Sequence, residues 1–228
     1  MTTAAARPAD LGKLWTLPGV YAPQADTHLL AQALQAEGIT AGTDVLDVCT
    51  GSGALAVLAA RMGAQVTATD ISRRAVISAR FNAARAGQRV RVLQGDLTGP
   101  IAEERFHLVV SNPPYVPTPL AHHSRKHRSS VAWDAGHSGR QALDRICAHA
   151  RDVLHPHGVL LIVHSALCGA DETLRRLDTT GMRSSVAHRA RVPFGPVITG
   201  RLSWLRAQGL LHPGEDTEEL VVIRAERS

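Results

Sequence analysis

The sequence predicts a doubly wound α/β domain, and three observations predict it. Residues 45–53, VLDVCTGSG, carry an apolar run into a glycine turn, and Ala54 to Met62 follows as a small-residue helix. Short apolar runs at 45–48, 65–69, 90–94 and 108–110 alternate with helical patterns, the signature of a parallel sheet. Each run ends on polar or glycine residues: Asp47, Asp70, Gly95-Asp96-Leu97, and Ser111-Asn112-Pro113-Pro114-Tyr115. Open sheets of this kind bind ligands outside the carboxyl ends of their strands.

Taken in order, residues 11–24 hold Trp15, Pro18, Gly19, Tyr21 and Pro23 and must be extended. We divide the chain into an N-terminal extended segment with a covering turn, 1–25, and a single domain, 26–228. From Asp26, the apolar positions Leu29, Leu30, Ala33 and Leu34 have helical spacing, with Asp26 or Thr27 as N-cap and Gly38 as stop. On that reading Asp26 is a capping residue of a surface helix. After Thr50, Gly51 and Gly53 lack Cβ, so the backbone can bend and a ligand can approach unpaired N–H groups. No Lys follows Gly53, which excludes the phosphate-binding GxxxxGK[ST] pattern, and Val57 stands where a dinucleotide GxGxxG needs glycine or alanine.

Ser72 to Ala86 reads as a basic amphipathic helix, with Ser72 as N-cap, Ala75, Val76, Ala79 and Ala83 inward, and Arg73, Arg74, Arg80 and Arg85 as a solvated face. The long stretch between Tyr115 and Gly139 reads as a flexible basic lid. Its His122, His123 and His127 have no acidic or Cys partner at ligand spacing, so no metal is expected. Gly139 to Leu154 has helical spacing, broken by His155-Pro156-His157-Gly158. Val159 to Val163 is a central strand, Leu174 and Leu177 mark a helix stopped at Gly181, and Met182 to Arg191 and Glu219 to Arg224 are the last strands, joined by an insertion over 193–211.

The 228 residues are 44% hydrophobic, enough for one full core, and no apolar run is long enough for a membrane span. Met1 to Pro8 lacks a charged start before an apolar core, so a cytoplasmic protein is expected. Cys49, Cys147 and Cys168 show no CxxC and read as reduced thiols. The net charge of +5 is carried almost wholly by arginine, with Lys13 and Lys126 the lysines, and nucleic acid is expected as a partner only indirectly.

Asp70 stands 17 residues past Gly53, where a carboxylate can accept from both hydroxyls of a ribose. With that acid in place the chain resembles the class I S-adenosylmethionine (SAM) dependent methyltransferases. The NPPY tetrad, 112–115, narrows the likeness to enzymes that methylate a nitrogen conjugated to a π system. GVYAPQADTHLL (19–30), VLDVCTGSG, SNPPYVPTP (111–119) and AWDAGHSGRQALDR (132–145) resemble the short branch of HemK-related glutamine methyltransferases of release factors. PFGPVITGRLSWLRAQGLL and EELVVIR also look like bacterial members. Where they usually carry Glu, this chain has Ala25.

The resemblance implies a Rossmann-like, seven-stranded, mostly parallel sheet with helices on both faces, SAM as cofactor, a release factor as protein substrate, and a monomer. Some relatives use a small activator subunit. Tyr21 and Thr27 would close over the methionine end of SAM. Asp47, Thr50, Gly51, Gly53, Asp70, Ile71, Asp96, Leu97 and Asn112 would line the rest of its site. Asp96 would accept from the adenine amino group, or is simply a turn residue before Leu97.

An amide nitrogen is a poor nucleophile because its lone pair is delocalised. The Asn112 side-chain oxygen and the Pro113 carbonyl are the natural pair of acceptors for its two protons, and Tyr115 would pack on the flat group. The same acceptors would serve adenine or a small nitrogenous metabolite. Asn112-Pro113-Pro114 would also suit a rigid turn, and a SAM-binding partner protein is the non-enzymatic alternative.

Overall fold

In the computed structural model, which describes residues 9–119 and 135–228, seven strands form one sheet. They are β1 (Asp44–Val48), β2 (Gln65–Asp70), β3 (Val90–Gln94), β4 (Phe106–Ser111), β5 (Leu154–Ser165), β6 (Met182–Pro193) and β7 (Thr217–Arg227). The order is β3-β2-β1-β4-β5-β7-β6. β7 is antiparallel to both neighbours, and the other pairings are parallel. The expected seven-stranded, mostly parallel sheet is therefore present.

The helices are α1 (Ala25–Ala36), α2 (Ala54–Arg61), α3 (Arg73–Arg85), α4 (Gln141–His149), α5 (Ala170–Thr179) and the short α6 (Pro196–Thr199) and α7 (Leu202–Ala207). α2 lies between α1 and α3, and α4 packs on α5. The connections through α2 and α3 step one way along the sheet and the connection through α4 steps the other. Right-handed crossovers then put the two rows of helices on opposite faces. The sheet changes direction between β1 and β4.

Strands covered on both faces must be apolar throughout, and these are: Val45, Leu46, Val109, Val110, Leu160 to Val163 and Val221 to Ile223 are all within 1% of full burial. Each such side chain contributes about 1.5–3 kcal/mol. Edge strand β6 instead alternates half-buried and exposed residues, with Arg183 and Arg189 ion-paired to Glu226 and Glu219 of β7. Charges there discourage pairing with another chain.

The expected helix over 139–154 is shorter. α4 stops at His149, a 3₁₀ turn covers Ala150–Val153, and β5 already begins at Leu154. Phe106 pairs with Leu154 but Leu108 with Val159, so His155 to Gly158 form a bulge in the ladder, with His157 at φ +62°. A Pro-Gly cluster that looked like a break is absorbed as extra residues in one strand.

α3 begins as expected, Ser72 Oγ accepting from the Ala75 N–H. Its arginine face is not wholly solvated, since Arg74 donates to Pro18 O and Arg80 to Val92 O. Buried Asn82 on the same helix exchanges hydrogen bonds with the Trp15 backbone at 2.9 and 2.7 Å, and Ser78 accepts from the Leu17 N–H. These contacts pin the extended 11–24 segment and deliver Tyr21 to the sheet's carboxyl edge. Gly53, at φ +81°, sits so close to α3 that a Cβ would lie 2.9 Å from Ala79 Cα.

The 193–211 insertion folds α6 and α7 around a small cluster of Ile198, Leu205 and Leu211, packed on Val116 and Phe194. All three cysteines are free. Among the described residues no helix is long and apolar enough to cross a membrane. The lid histidines, His122, His123 and His127, lie outside the described residues.

Candidate active site

Where the sheet reverses, Val48 pairs with Ser111, whose hydroxyl donates to Val48 O at 2.8 Å. Beyond these strand ends opens a cavity of about 290 Å³. Switch points at carboxyl ends are where such sheets hold ligands.

On the β1–β2 side the cavity is built around two acids. Asp47 Oδ2 accepts from Thr50 Oγ1 at 2.5 Å and from the Ala56 N–H at 3.1 Å. Its Oδ1 is buried and has no partner among the described residues. Burial pushes the Asp47 carboxyl up to about 7, against the pull of Thr50 and Ala56. Asp70 takes the Gly51 N–H on one oxygen and the Ser72 N–H on the other, tying the glycine turn to the end of β2. Burial raises its pKa as well. Ile71, an exposed apolar side chain, stands at the mouth, and Leu97 turns the chain there at φ +48°. Asp96 also faces the cavity, but both its oxygens hold the Arg145 guanidinium, at 3.1 and 2.8 Å.

Cys49 lies between Asp47 and Thr50 at φ +62°, a left-handed conformation that side chains with Cβ resist. Cys49→Gly should therefore stabilise the protein by about 1 kcal/mol, raising Tm by roughly 2–4 °C in a thermal melt. A fall in Tm would show that the thiol's packing outweighs the backbone strain.

The second half of the cavity corrects the reading of α1. Its N-cap is Gln24, without a side-chain cap, and Asp26 is no surface capping residue. It is 3% exposed and accepts from Tyr21 Oη (2.7 Å), Tyr115 Oη (2.9 Å), the Thr27 N–H (2.6 Å) and Thr27 Oγ1 (3.1 Å). Thr27 Oγ1 in turn accepts from Asn112 Nδ2 at 3.2 Å. The direction of this relay follows from the carboxylate at its end. Because the Thr27 proton goes to Asp26, the Thr27 oxygen can only accept, so Asn112 must present Nδ2 there. That leaves Asn112 Oδ1 as the oxygen turned from the relay.

The NPPY tetrad is clamped from behind. Arg201 donates to Val116 O, Pro117 O and Thr118 Oγ1, each at 3.0 Å. Gly139 approaches so closely that a Cβ there would collide with Tyr115 O. Buried Arg140 binds Cys168 O, Gly169 O, Thr173 Oγ1 and Asp144, fixing the return of the chain beside the tetrad.

Tyr21, Thr27, Asp47, Thr50, Gly51, Asp70, Ile71, Asp96, Leu97, Asn112, Pro113 and Tyr115 thus all line one cavity. Gly53 does not; it is glycine because α3 leaves no room for a side chain. Two lining acids escaped the sequence reading, Asp26 and Glu218. The first was masked by its helix-start position; the second lies at the beginning of a strand, whereas the other acids were sought at strand ends. Among the described residues, Asp44, His107 and His155 form a group of metal-ligand type, but at the opposite, amino edge of the strands.

The methyltransferase small domain family matches residues 12–187. The chain belongs to that family. Within it, this methyltransferase falls in the HemK-related branch. It is 31% identical to a putative protein N5-glutamine methyltransferase of Methanocaldococcus jannaschii over 80% of this chain and 90% of that one. It is 35% identical to the release factor glutamine methyltransferase of Geobacter sulfurreducens over 81% of this chain, spanning 66% of that enzyme's length. The fold is shared with the E. cuniculi Mtq2–Trm112 complex, responsible for methylation of the eRF1 termination factor, at TM-score 0.64, 24% identity and coverage of 92% and 99%.

SAM is the methyl donor of this class, and the residues present fit it. The unpartnered Asp47 Oδ1 and the raised pKa of its carboxyl suit a group bringing N–H donors and positive charge.

Proposed function

We propose that this methyltransferase transfers a methyl group to the side-chain amide of a protein glutamine, in the GGQ loop of a translation release factor. The observation that carries the proposal is the relay Asp26–Thr27–Asn112, which fixes the Asn112 amide plane beside the NPPY backbone. The names of the relatives and the quoted motifs support the choice of glutamine.

When bound, SAM supplies an electrophilic methyl group on a positively charged sulfur. The residues of the chain would do the rest. Asp47, Gly51 and Asp70 would hold the donor, with Ile71, Asp96 and Leu97 around its base. Asn112 Oδ1 and the Pro113 carbonyl would accept the two protons of the acceptor amide and raise electron density on its nitrogen. Tyr115, held by Asp26, would cover the flat amide and exclude water. Holding nucleophile and methyl in line supplies much of the acceleration in such displacements.

The test is transfer of labelled methyl from SAM to purified release factor and, in parallel, to total nucleic acid, followed by peptide mapping. Label on a release-factor glutamine is the expected result. Label on adenine or on a small metabolite alone would overturn the glutamine assignment. A release factor as substrate places the reaction in the cytoplasm. Activity of the purified chain as a monomer would exclude an obligate activator subunit.

A further inference from the structure

β7 runs against the parallel strands, so its first residues stand at the carboxyl edge where the cavity opens. Leu220 pairs with Ser165, the last residue of β5, and Glu218 therefore sits beyond the end of that strand. Glu218 is 8% exposed, lines the same cavity as Asn112 and Tyr115, and its Oε2 has no hydrogen-bond partner among the described residues. A carboxyl oxygen buried without a donor is costly, and natural proteins rarely leave one so without a reason. A ligand N–H in the cavity would satisfy it.

The strand order decides whose N–H. From β2 the sheet runs through β1, β4 and β5 to β7. Asp70 and the glycine turn lie on one side of Asn112, at β2 and β1; Glu218 lies on the other. Its partner is thus the methyl acceptor rather than the donor.

Resting on the glutamine reading above, we propose that Glu218 Oε2 shares with the Pro113 carbonyl, in a three-centre hydrogen bond, one of the two acceptor amide N–H groups and takes that proton as the methyl group is transferred. The amide nitrogen bonds to the methyl carbon, the carbon–sulfur bond breaks with its electron pair going to sulfur, and the N–H electron pair stays on nitrogen as the proton passes to the carboxylate. An amide nitrogen becomes strongly acidic once its lone pair is committed to the new bond, so a carboxylate is basic enough.

The groups facing Glu218 are Tyr21 from the N-terminal segment, Asp26 from α1, Tyr115 after β4, Ser165 at the end of β5 and Cys168 just beyond it. Burial pushes the Glu218 carboxyl up to about 7, Ser165 lowers it, and the charge of Asp26 raises it further. Glu218 must be ionised to take a proton. Activity should rise with pH through about 7 and then level.

The experiment compares the wild type with Glu218→Gln and Glu218→Asp, using SAM and a Gly-Gly-Gln peptide across this pH range. With SAM saturating, so that the site of Asp47 is already filled, Glu218→Gln should lower kcat/KM for the peptide about a hundredfold and abolish the acid limb. Glu218→Asp should keep a limb and recover part of the rate. Calorimetry should show SAM affinity unchanged in both variants and, with S-adenosylhomocysteine bound, weakened peptide binding in Glu218→Gln. A wild type that methylates the peptide beside a Glu218→Gln variant with equal rate and the same pH limb would overturn the proposal alone. A wild type that methylates nucleic acid and not the peptide would overturn the glutamine reading, and this proposal with it.

Discussion

Asn112→Ala is expected to lower kcat about 10²- to 10³-fold while the dissociation constant of SAM changes by less than about threefold. Among the described residues the Asn112 side chain is held by a single hydrogen bond, Nδ2 to Thr27 Oγ1, and its neighbours are clamped independently through Arg201 and Gly139. Truncation should therefore leave the backbone in place and remove one preorganised acceptor. Single-turnover kinetics and calorimetric titration with SAM separate the two effects. Comparable losses in turnover and in SAM affinity would mean that Asn112 shapes the strand end and takes no specific part in the chemistry.

Asp26→Ala should be the most damaging change to both stability and activity. It would strip the shared acceptor from Tyr21, Tyr115 and Thr27, all buried or half-buried. Leaving such donors unsatisfied costs about 1–3 kcal/mol each where water cannot reach them. A loss of roughly 2–4 kcal/mol lowers Tm by roughly 5–15 °C in a chain of this size. The relay makes a sharper prediction through Thr27. Thr27→Val keeps the shape of the side chain but lets the Asn112 amide rotate; kcat should fall about tenfold or more with little change in Tm, and Thr27→Ser should restore it. Full turnover in Thr27→Val would show that the amide plane of Asn112 is set by something else.

These residues illustrate how unevenly the site was written into the chain. Asp47, Asp70 and the NPPY tetrad were legible because each follows an apolar run directly, and parallel strands put all such ends on one edge. Asp26 was not, because an acid in the first turn of a helix has an ordinary local use as a cap. Its burial comes from Tyr21, pinned by α3, and Tyr115, delivered by β4. The arginines of α3 looked like a solvated face, but in the fold Arg74 and Arg80 donate to backbone carbonyls. Asp96 lines the cavity as a strand-end acid should, and only the fold shows that Arg145 holds it there. The bulge at His155 to Gly158 was read as a break, since only the β4 ladder shows that pairing resumes beyond it.

The sequence by itself determined the α/β alternation, the places of the first five strands along the chain and the polar residues at four strand ends. Hydrophobic periodicity and turn chemistry are local properties, carried by neighbouring residues. Tertiary structure alone decided that Gly53 is reserved for α3, that Thr27 orients Asn112, and that the antiparallel entry of β7 brings Glu218 to the acceptor side. Each of these depends on groups between 26 and more than 100 residues apart, such as Gly53 with Ala79, or Glu218 with Asn112. No local pattern records such a pairing. It exists only once burial of the two helix layers has closed the sheet and brought its carboxyl edge around one cavity.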